Sequence, residues 1–204
     1  MNILNIAAGK QKPLGIPSSS SFADRVGRHI VNVDTSYLGA DFAGDVAKTI
    51  KEKRLSLGDV YEWYCCHDIF DFMERTTIMF DQVVIYRFLE HVSFTQVNYF
   101  IYLVSTVIKK GGIVDIIVPN YNKLAYMLLD DDPYSDKNFE ATNILLTTEL
   151  LNEPSSPHAS IWSPLRALYF WELEGRFEVP EEHIKPTFKF DGRDIYLRFF
   201  AKRI

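Results

Sequence analysis

The sequence has few of the features that mark secreted or membrane-spanning proteins. Only two of its 204 residues are cysteines, Cys65 and Cys66. Because they are adjacent they do not make a disulfide framework, so we expect a reducing, cytoplasmic location. No run approaches the roughly 20 apolar residues that span a bilayer, and the first residues lack a basic leader and a cleavage site. We therefore expect neither a membrane segment nor a signal peptide.

Positive charge is also scarce. The chain has 22 Lys and Arg against 27 Asp and Glu, a net charge of -5. Phosphate neutralisation supplies most of the affinity of nucleic-acid-binding proteins, so we do not expect nucleic acid as the main partner. Hydrophobic residues, in contrast, make up 47% of the chain and aromatic residues 14%. This composition and length predict a single packed domain over residues 1–204, and they leave the oligomeric state open.

Several common site motifs are missing. There is no glycine-rich loop ending in Gly-Lys-Ser/Thr, no Gly-x-Ser-x-Gly and no full Gly-x-Gly-x-x-Gly, which argues against a P-loop nucleotidase, an esterase-type hydrolase and a dinucleotide-dependent dehydrogenase. The run Cys65-Cys66-His67-Asp68 has the composition of a metal cluster. Adjacent strand residues point to opposite faces, however, so we predict no metal site there.

Continuous apolar runs predict five strands buried on both faces. They are Met1–Ala7, His29–Val33, Val60–Cys66, Asp81–Tyr86 and Ile113–Val118. The clearest helix follows the fourth strand, because Val97, Phe100, Ile101, Val104 and Ile108 share one helical face. Ser93 and Gln96 predict a capping box at its start.

Other patterns complete the predicted fold. Val46–Lys53 predicts a second helix, and Ser163-Pro164 begins a third whose apolar face carries Leu165, Leu168, Tyr169 and Leu173. Phe177–Val179 and Asp194–Ala201 predict two terminal strands. The alternation indicates an α/β, Rossmann-like fold with a mostly parallel sheet, helices on both faces and an antiparallel C-terminal hairpin.

The residues at the predicted strand ends indicate a nucleoside pocket, because ligands of open α/β sheets bind there. The first strand is followed by Ala7-Ala8-Gly9-Lys10, whose small residues allow backbone to approach a ligand closely. Asp34 follows the second strand and can accept both hydroxyls of a ribose. Asp68 follows the third strand and can accept from an adenine amino group. Tyr86-Arg87 and then Glu90-His91 follow the fourth.

This order resembles the class I S-adenosylmethionine-dependent methyltransferases, in particular their small type-11-like branch. The resemblance covers about residues 2–119. It is carried by Leu4–Lys10, by Lys12-Pro13-Leu14-Gly15 with Asn32-Val33-Asp34, by Phe80–Val84 with Leu89-Glu90-His91, and by Gly111-Gly112 before a strand ending at Pro119. It implies a methyltransferase that uses S-adenosylmethionine as its cofactor.

The resemblance also implies residue roles. Ala7, Ala8, Gly9 and Lys10 form the loop beside the methionine and ribose, Asp34 holds the ribose hydroxyls, Thr35 and Leu38 flank the adenine, Asp68 meets its amino group, Ile69 packs on its ring, and Tyr86 and Arg87 lie near the amino-acid end. At Ala7 the family usually has glycine. His91 and His158 are the candidate catalytic bases for a hydroxyl acceptor.

Each assignment has a structural alternative. Asp34 or Asp68 can cap the segment that follows it, Glu90 and His91 can decorate a helix start, and His158 can be a surface residue. Residues 120–162 form either a lid over the acceptor or extra packed helices. For function, we expect methyl transfer to a small-molecule or saccharide acceptor. The alternative is a non-catalytic binding or scaffold protein that retains the fold.

Overall fold

A computed structural model describes residues 1–6, 27–35, 41, 43–53, 55–56, 59–129, 160–190 and 192–204. Its strands form one eight-stranded sheet in the order β3-β2-β1-β4-β5-β8-β6, with β7 also paired to β8. The strands are β1 (Asn2–Ile6), β2 (Arg28–Val33), β3 (Val60–Cys65), β4 (Phe80–Tyr86), β5 (Ile108–Pro119), β6 (Phe177–Glu178), β7 (Lys185–Phe190) and β8 (Arg193–Arg203). Strands β1 to β5 are parallel, as predicted, and β8 is antiparallel to β5.

The antiparallel part contains one strand more than predicted. The hairpin partner of β8 is β7, which the sequence reading missed, while β6 is a two-residue strand that pairs with the end of β8. Strand β7 carries Pro186 between Lys185 and Thr187, so it has no continuous apolar run. It pairs with β8 alone in the described sheet, and proline and lysine are typical of such edge strands.

Five helices are described. They are α1 (Ala43–Glu52), α2 (Ile69–Arg75), α3 (Phe94–Val107), α4 (Tyr121–Leu128) and α5 (Pro164–Glu172). The predicted apolar face of α3 is confirmed for Val97, Phe100, Ile101 and Val104, which are each at most 3% exposed. Ile108, predicted on the same face, instead begins β5, because the helix ends at Val107. Ser93 is the N-cap residue, but its hydroxyl donates to Gln96 Oε1 (2.9 Å) and caps no backbone N–H.

The predicted apolar face of α5 is mostly wrong, since Leu168 is half-buried against the core but the other three residues of this face are exposed. Leu165 is 76% exposed and Tyr169 59%, whereas Ala167 and Trp171 are buried. The helix is oriented by Trp171, whose ring meets Phe177 edge-on at 5.1 Å between centroids. An indole buries more apolar area than a leucine side chain, so the face that carries the tryptophan lies against the sheet.

Helices contribute to the core on both faces of the sheet. The larger cluster combines strand residues such as Leu4, Val31 and Val83 with side chains from α1, α2, α3 and α5. On the opposite face, Leu124 of α4 packs against Ile117, and Ile195 and Tyr196 of β8 join them. The predicted α/β architecture is therefore confirmed. No helix within the described residues is long and apolar enough to cross a membrane.

Candidate functional site

The carboxyl ends of β2 and β3 lie side by side and bring three of the predicted site residues to one edge. The backbone N–H of Asp34 donates to the carbonyl of Cys65 (3.1 Å), which continues the strand pairing by one step. The thiol of Cys66 donates to the carbonyl of Thr35 (3.3 Å) and links the two segments that follow these strands. Thr35, Asp34 and Asp68 therefore begin the chain segments at one sheet edge.

Asp68 acts as the N-cap of α2. Its Oδ1 accepts hydrogen bonds from the backbone N–H groups of Phe70 (2.9 Å) and Asp71 (3.2 Å). Ile69 is 7% exposed and belongs to the larger core cluster. Asp68 therefore caps α2 through Oδ1, as the structural alternative predicted. Contacts of Asp68 and Ile69 with adenine stay a prediction.

The two cysteines lie in different environments. Cys65 is buried, and burial raises the pKa of its thiol to about 11, so it carries a proton at neutral pH. Cys66 is exposed. A metal ligand must be a thiolate, which the Cys65 environment disfavours. Among the residues that the structure describes, no group of three or more His, Cys, Asp and Glu side chains has the arrangement of a metal site.

Tyr86, at the end of β4, is part of a buried polar cluster. Its hydroxyl donates to Asp115 Oδ2 (2.7 Å), and Arg198 donates to both oxygens of Asp115 at 3.0 and 2.8 Å. The guanidinium lies between the rings of Phe188 and Phe200, 4.9 and 4.8 Å from their centroids. Burial and the charge of Asp115 raise the pKa of Tyr86, so the phenol stays protonated.

Asp115 and Arg198 are missing from the sequence-based set of site residues. The signal that identifies them is their placement, because each is a charged residue inside an otherwise apolar strand. Asp and Arg are almost never fully buried unless they are paired. Two such charges of opposite sign in predicted strands therefore indicate a partnership, although the sequence does not show that β5 and β8 are neighbours.

Arg87 follows β4 in an unusual backbone conformation. Its φ is +54°, the left-handed region that glycine favours. Its backbone N–H donates to the carbonyl of Ile117 (2.8 Å), which holds the chain against β5. Residues in such conformations concentrate at active sites and ligand clamps.

Glu90 lies in a short 3-10 turn, Leu89–His91, between β4 and α3. It is 1% exposed, and its Oε2 has no hydrogen-bond partner within the described part of the chain. Burial raises the pKa of this carboxyl to about 7, although the charge of Arg87 acts in the opposite direction. Burial and the charge of Glu90 together raise the pKa of Tyr121 to about 12. His91, the first predicted base, is half-buried beside Glu90.

The segment 160–162 closes against this turn. The backbone N–H of Ser160 donates to the carbonyl of Glu90 (2.9 Å), and the hydroxyl of Ser160 donates to the carbonyl of Leu89 (3.0 Å). The indole N–H of Trp162 donates to the Ser160 hydroxyl (2.9 Å), and the backbone carbonyl of Trp162 accepts from the backbone N–H of Tyr121 (3.0 Å). Both ends of the 120–162 region are therefore fixed at the carboxyl ends of β4 and β5.

The structure thus places Asp34, Thr35, Asp68, Tyr86, Arg87 and His91 in the segments at or just after the carboxyl ends of β2, β3 and β4. Ile69, in the first turn of α2, is described as well. The other predicted site residues lie outside the described residues. They are Ala7, Ala8, Gly9, Lys10, Leu38 and His158. Glu90 was noted from its position in the sequence, but its burial was not foreseen.

No protein-family model and no curated protein sequence matches the chain. Solved structures are similar to it over its length. A SAM-dependent methyltransferase from Methanosarcina mazei has a TM-score of 0.56 and 17% identity, with 100% of this chain and 92% of that chain covered. N-methyltransferase NodS from Bradyrhizobium japonicum WM9, in complex with S-adenosyl-L-homocysteine, has a TM-score of 0.50 and 11% identity, with 99% of this chain and 77% of that chain covered.

A third similar structure is N,N-8-amino-8-demethyl-D-riboflavin dimethyltransferase (RosA) from Streptomyces davawensis. Its TM-score is 0.55 at 11% identity, with 100% of this chain and 49% of that chain covered. At such identities a likeness shows the fold. The chain therefore has the Rossmann-like fold of the S-adenosylmethionine-dependent methyltransferases, as the resemblance in its sequence predicted.

Proposed function

We propose that the protein is an S-adenosylmethionine-dependent methyltransferase that acts on a small-molecule or saccharide acceptor. The observation that carries the proposal is the structural likeness to methyltransferases over the full chain, one of them in complex with S-adenosyl-L-homocysteine. The fold alone does not decide function. The acids that follow the adjacent ends of β2 and β3, Asp34 and Asp68, support it because open α/β sheets bind ligands beyond the carboxyl ends of their strands.

The residues at this edge fit the cofactor. Asp34 would hold the ribose hydroxyls, and Thr35 and Leu38 would flank the adenine. Asp68 would meet the adenine amino group with Oδ2, since Oδ1 caps α2. Ile69 would contact the ring, and Tyr86 and Arg87 would approach the amino-acid end through backbone. The loop Ala7, Ala8, Gly9 and Lys10 would lie beside the methionine and ribose.

When bound, S-adenosylmethionine supplies an activated methyl group on a sulfonium. The protein must then align the acceptor and exclude water. We place the acceptor over the carboxyl ends of β4 and β5, because the nucleoside roles occupy the first three strand ends and only the backbone of Tyr86 and Arg87, after β4, would approach the cofactor. Residues 120–162 are anchored there at both ends and would cover it, and His91 and His158 remain the candidate bases for a hydroxyl acceptor.

Charge and cysteine content support the remaining expectations. The net charge of -5 disfavours nucleic acid as the acceptor. Both cysteines are free, which suits the reducing cytoplasm, where we place the protein.

The proposed activity is tested by following S-adenosyl-L-homocysteine formation with a panel of sugar nucleotides and small acids. We expect at least one acceptor to give product that scales with enzyme concentration. The alternative function is a binding or scaffold protein, favoured by Ala7 in place of the family's glycine. Cofactor binding with no turnover on any acceptor would favour it, and a loss of both binding and turnover would reject the cofactor assignment.

A further inference from the structure

Glu90 is a buried carboxyl that the fold itself does not explain. Buried carboxylates are normally paired with a cation or saturated with hydrogen bonds, because removing the charge from water is costly. Asp115 follows this rule through Arg198 and Tyr86. Glu90 does not, since its Oε2 has no partner in the described part of the chain. A well-packed glutamine or an apolar residue would serve the turn at lower cost.

The groups around Glu90 leave its carboxyl only partly compensated. Its own backbone N–H and the positive charge of Arg87 favour the carboxylate, but burial has the larger effect. Tyr121, at the start of α4, also faces it, and its phenol responds to the charge of Glu90. His91 follows it in the turn. The segment 160–162, which packs against the turn, consists of Ser160, Ile161 and Trp162, and these three side chains do not titrate near neutral pH.

The position of Glu90 connects it to the acceptor. The turn Leu89–His91 follows directly from the end of β4, and Tyr121 begins the helix that follows β5. The acceptor is proposed to lie at these two strand ends, those of β4 and β5. A polar side chain that is buried and unpartnered at such an edge is typical of a group whose partner is a ligand.

We propose that Glu90 binds an amine acceptor and takes the proton that its nitrogen loses on methylation. This inference rests on the proposed function. The amine would bind as its ammonium beside the Glu90 carboxylate, which accepts one N–H proton and so frees the nitrogen lone pair. The lone pair would form the bond to the methyl carbon as the carbon–sulfur bond breaks and its electrons stay on sulfur. The product would leave as the methylammonium ion, and Glu90 would release its proton to solvent. A carboxyl with a pKa of about 7 can hold and release this proton at neutral pH.

The test measures the protonation of Glu90 directly. Full-length protein with 13C-labelled glutamate carboxyls is saturated with S-adenosyl-L-homocysteine and titrated with pH by NMR. Glu90→Gln assigns the resonance, and Glu182→Gln removes an exposed carboxyl as the matched control. The probes are ethylamine and glucosamine at millimolar concentration, and ethanol and glucose are the matching hydroxyl compounds.

We expect the amines to lower the pKa of Glu90 by about 1 or more, because a nearby ammonium favours the carboxylate. The hydroxyl compounds should leave it unchanged, and Glu90→Gln should bind S-adenosyl-L-homocysteine within about threefold of the wild type. No response to either amine, or an equal response to ethanol and glucose, would overturn the assignment of Glu90. Failure of the wild type to bind S-adenosyl-L-homocysteine would instead count against the proposed function.

Discussion

The buried charges of the protein differ in how they are satisfied. Asp115 is held by two hydrogen bonds from Arg198 and one from Tyr86, so each group in the cluster depends on the others. Glu90 has only weak compensation from its surroundings. The first arrangement stabilises the native pairing of β4, β5 and β8, whereas the second is costly to the folded state. Substitutions at the two sites should therefore have opposite effects on stability.

Replacement of Asp115 by alanine leaves the guanidinium of Arg198 buried without its carboxylate. Breaking a buried pair in this way costs about 3–5 kcal/mol, so the urea midpoint of Asp115→Ala should fall strongly. Asp194→Ala is the control, because Asp194 is exposed and its contact to Lys123 is 3.9 Å long. Its effect should stay below about 1 kcal/mol. Equal effects of the two substitutions would show that the Asp115 pair does not stabilise the fold.

Replacement of Glu90 by glutamine should change how stability depends on pH. The pKa of Glu90 is raised from 4.5 to about 7, so the folded protein retains a proton that the unfolded chain releases. The stability contributed by the protonated carboxyl is full below pH 4.5 and is lost as pH rises through 7. Relative to the wild type, Glu90→Gln should therefore gain roughly 3 kcal/mol over this range. Urea unfolding at several pH values measures the difference, and parallel pH profiles would contradict it.

Replacement of Asp34 by asparagine tests its proposed contact with ribose. Hydrogen bonds to a charged acceptor contribute about 1.5–3 kcal/mol, or roughly ten- to a hundredfold in affinity. We expect Asp34→Asn to weaken S-adenosylmethionine binding by that factor in calorimetric titration. Asp59→Asn is the matched control, because Asp59 directly precedes β3 and lies at the opposite edge of the sheet. Unchanged affinity in Asp34→Asn would assign Asp34 to the turn-capping alternative.

At the scale of elements, the parallel strands were located correctly, but the edges of the sheet were not predictable. Strand β3, predicted to be buried on both faces, is an edge strand of the described sheet, and its Val60 is 53% exposed. Runs such as Val83, Val84 and Ile85 are apolar on both faces, and all three are buried, so a buried strand is the simple reading. Lys185–Phe190 has a proline at its second position and only Phe188-Lys189-Phe190 alternate, and its pairing depends on the neighbouring β8. Helix α5 was correctly located by Ser163 and Pro164, but its orientation depends on distant contacts of one tryptophan.

The site was predictable to a similar extent. The positions of Asp34 and Asp68 just after β2 and β3 were predictable because strand ends can be read from a sequence. The partnership of Asp115 with Arg198 joins residues 83 positions apart, and only the tertiary structure brings them together. The position of Glu90 was visible, but its burial results from how the turn packs in the folded chain, which no local pattern reports.

The orientation of α5 has a measurable consequence. Trp171 is buried, whereas Leu165, on the face predicted from sequence, is 76% exposed. Trp171→Ala should lower the free energy of unfolding by about 3–5 kcal/mol, since it leaves a large cavity beside Phe177 and Phe199. Leu165→Ala should change it by less than about 0.5 kcal/mol. Urea unfolding of both variants tests this, and a larger loss in Leu165→Ala would contradict the structure.

At the scale of the whole molecule, the sheet brings the parts of the proposed site to one edge. Parallel strands β1 to β5 all end there, and the 120–162 region returns to it through Tyr121 and Trp162. In the proposed site, the adenosine part of the cofactor would lie toward β2 and β3, its amino-acid end would lie near Tyr86 and Arg87, and the acceptor would lie over the ends of β4 and β5. This separation means that cofactor binding can be measured without knowing the acceptor.

The central claim is tested most directly by the melting temperature of the intact protein with S-adenosylmethionine or S-adenosyl-L-homocysteine. A ligand that binds only the folded state stabilises it by about 2.7 kcal/mol at a hundred times its dissociation constant. For a domain of this size we expect the melting temperature to rise by roughly 5–10 °C, since about 1 kcal/mol corresponds to about 2–4 °C. Adenosine triphosphate at the same concentration is the control and should give a smaller shift. A folded sample that shows no shift at millimolar cofactor would contradict the assignment of this fold as a cofactor-binding methyltransferase.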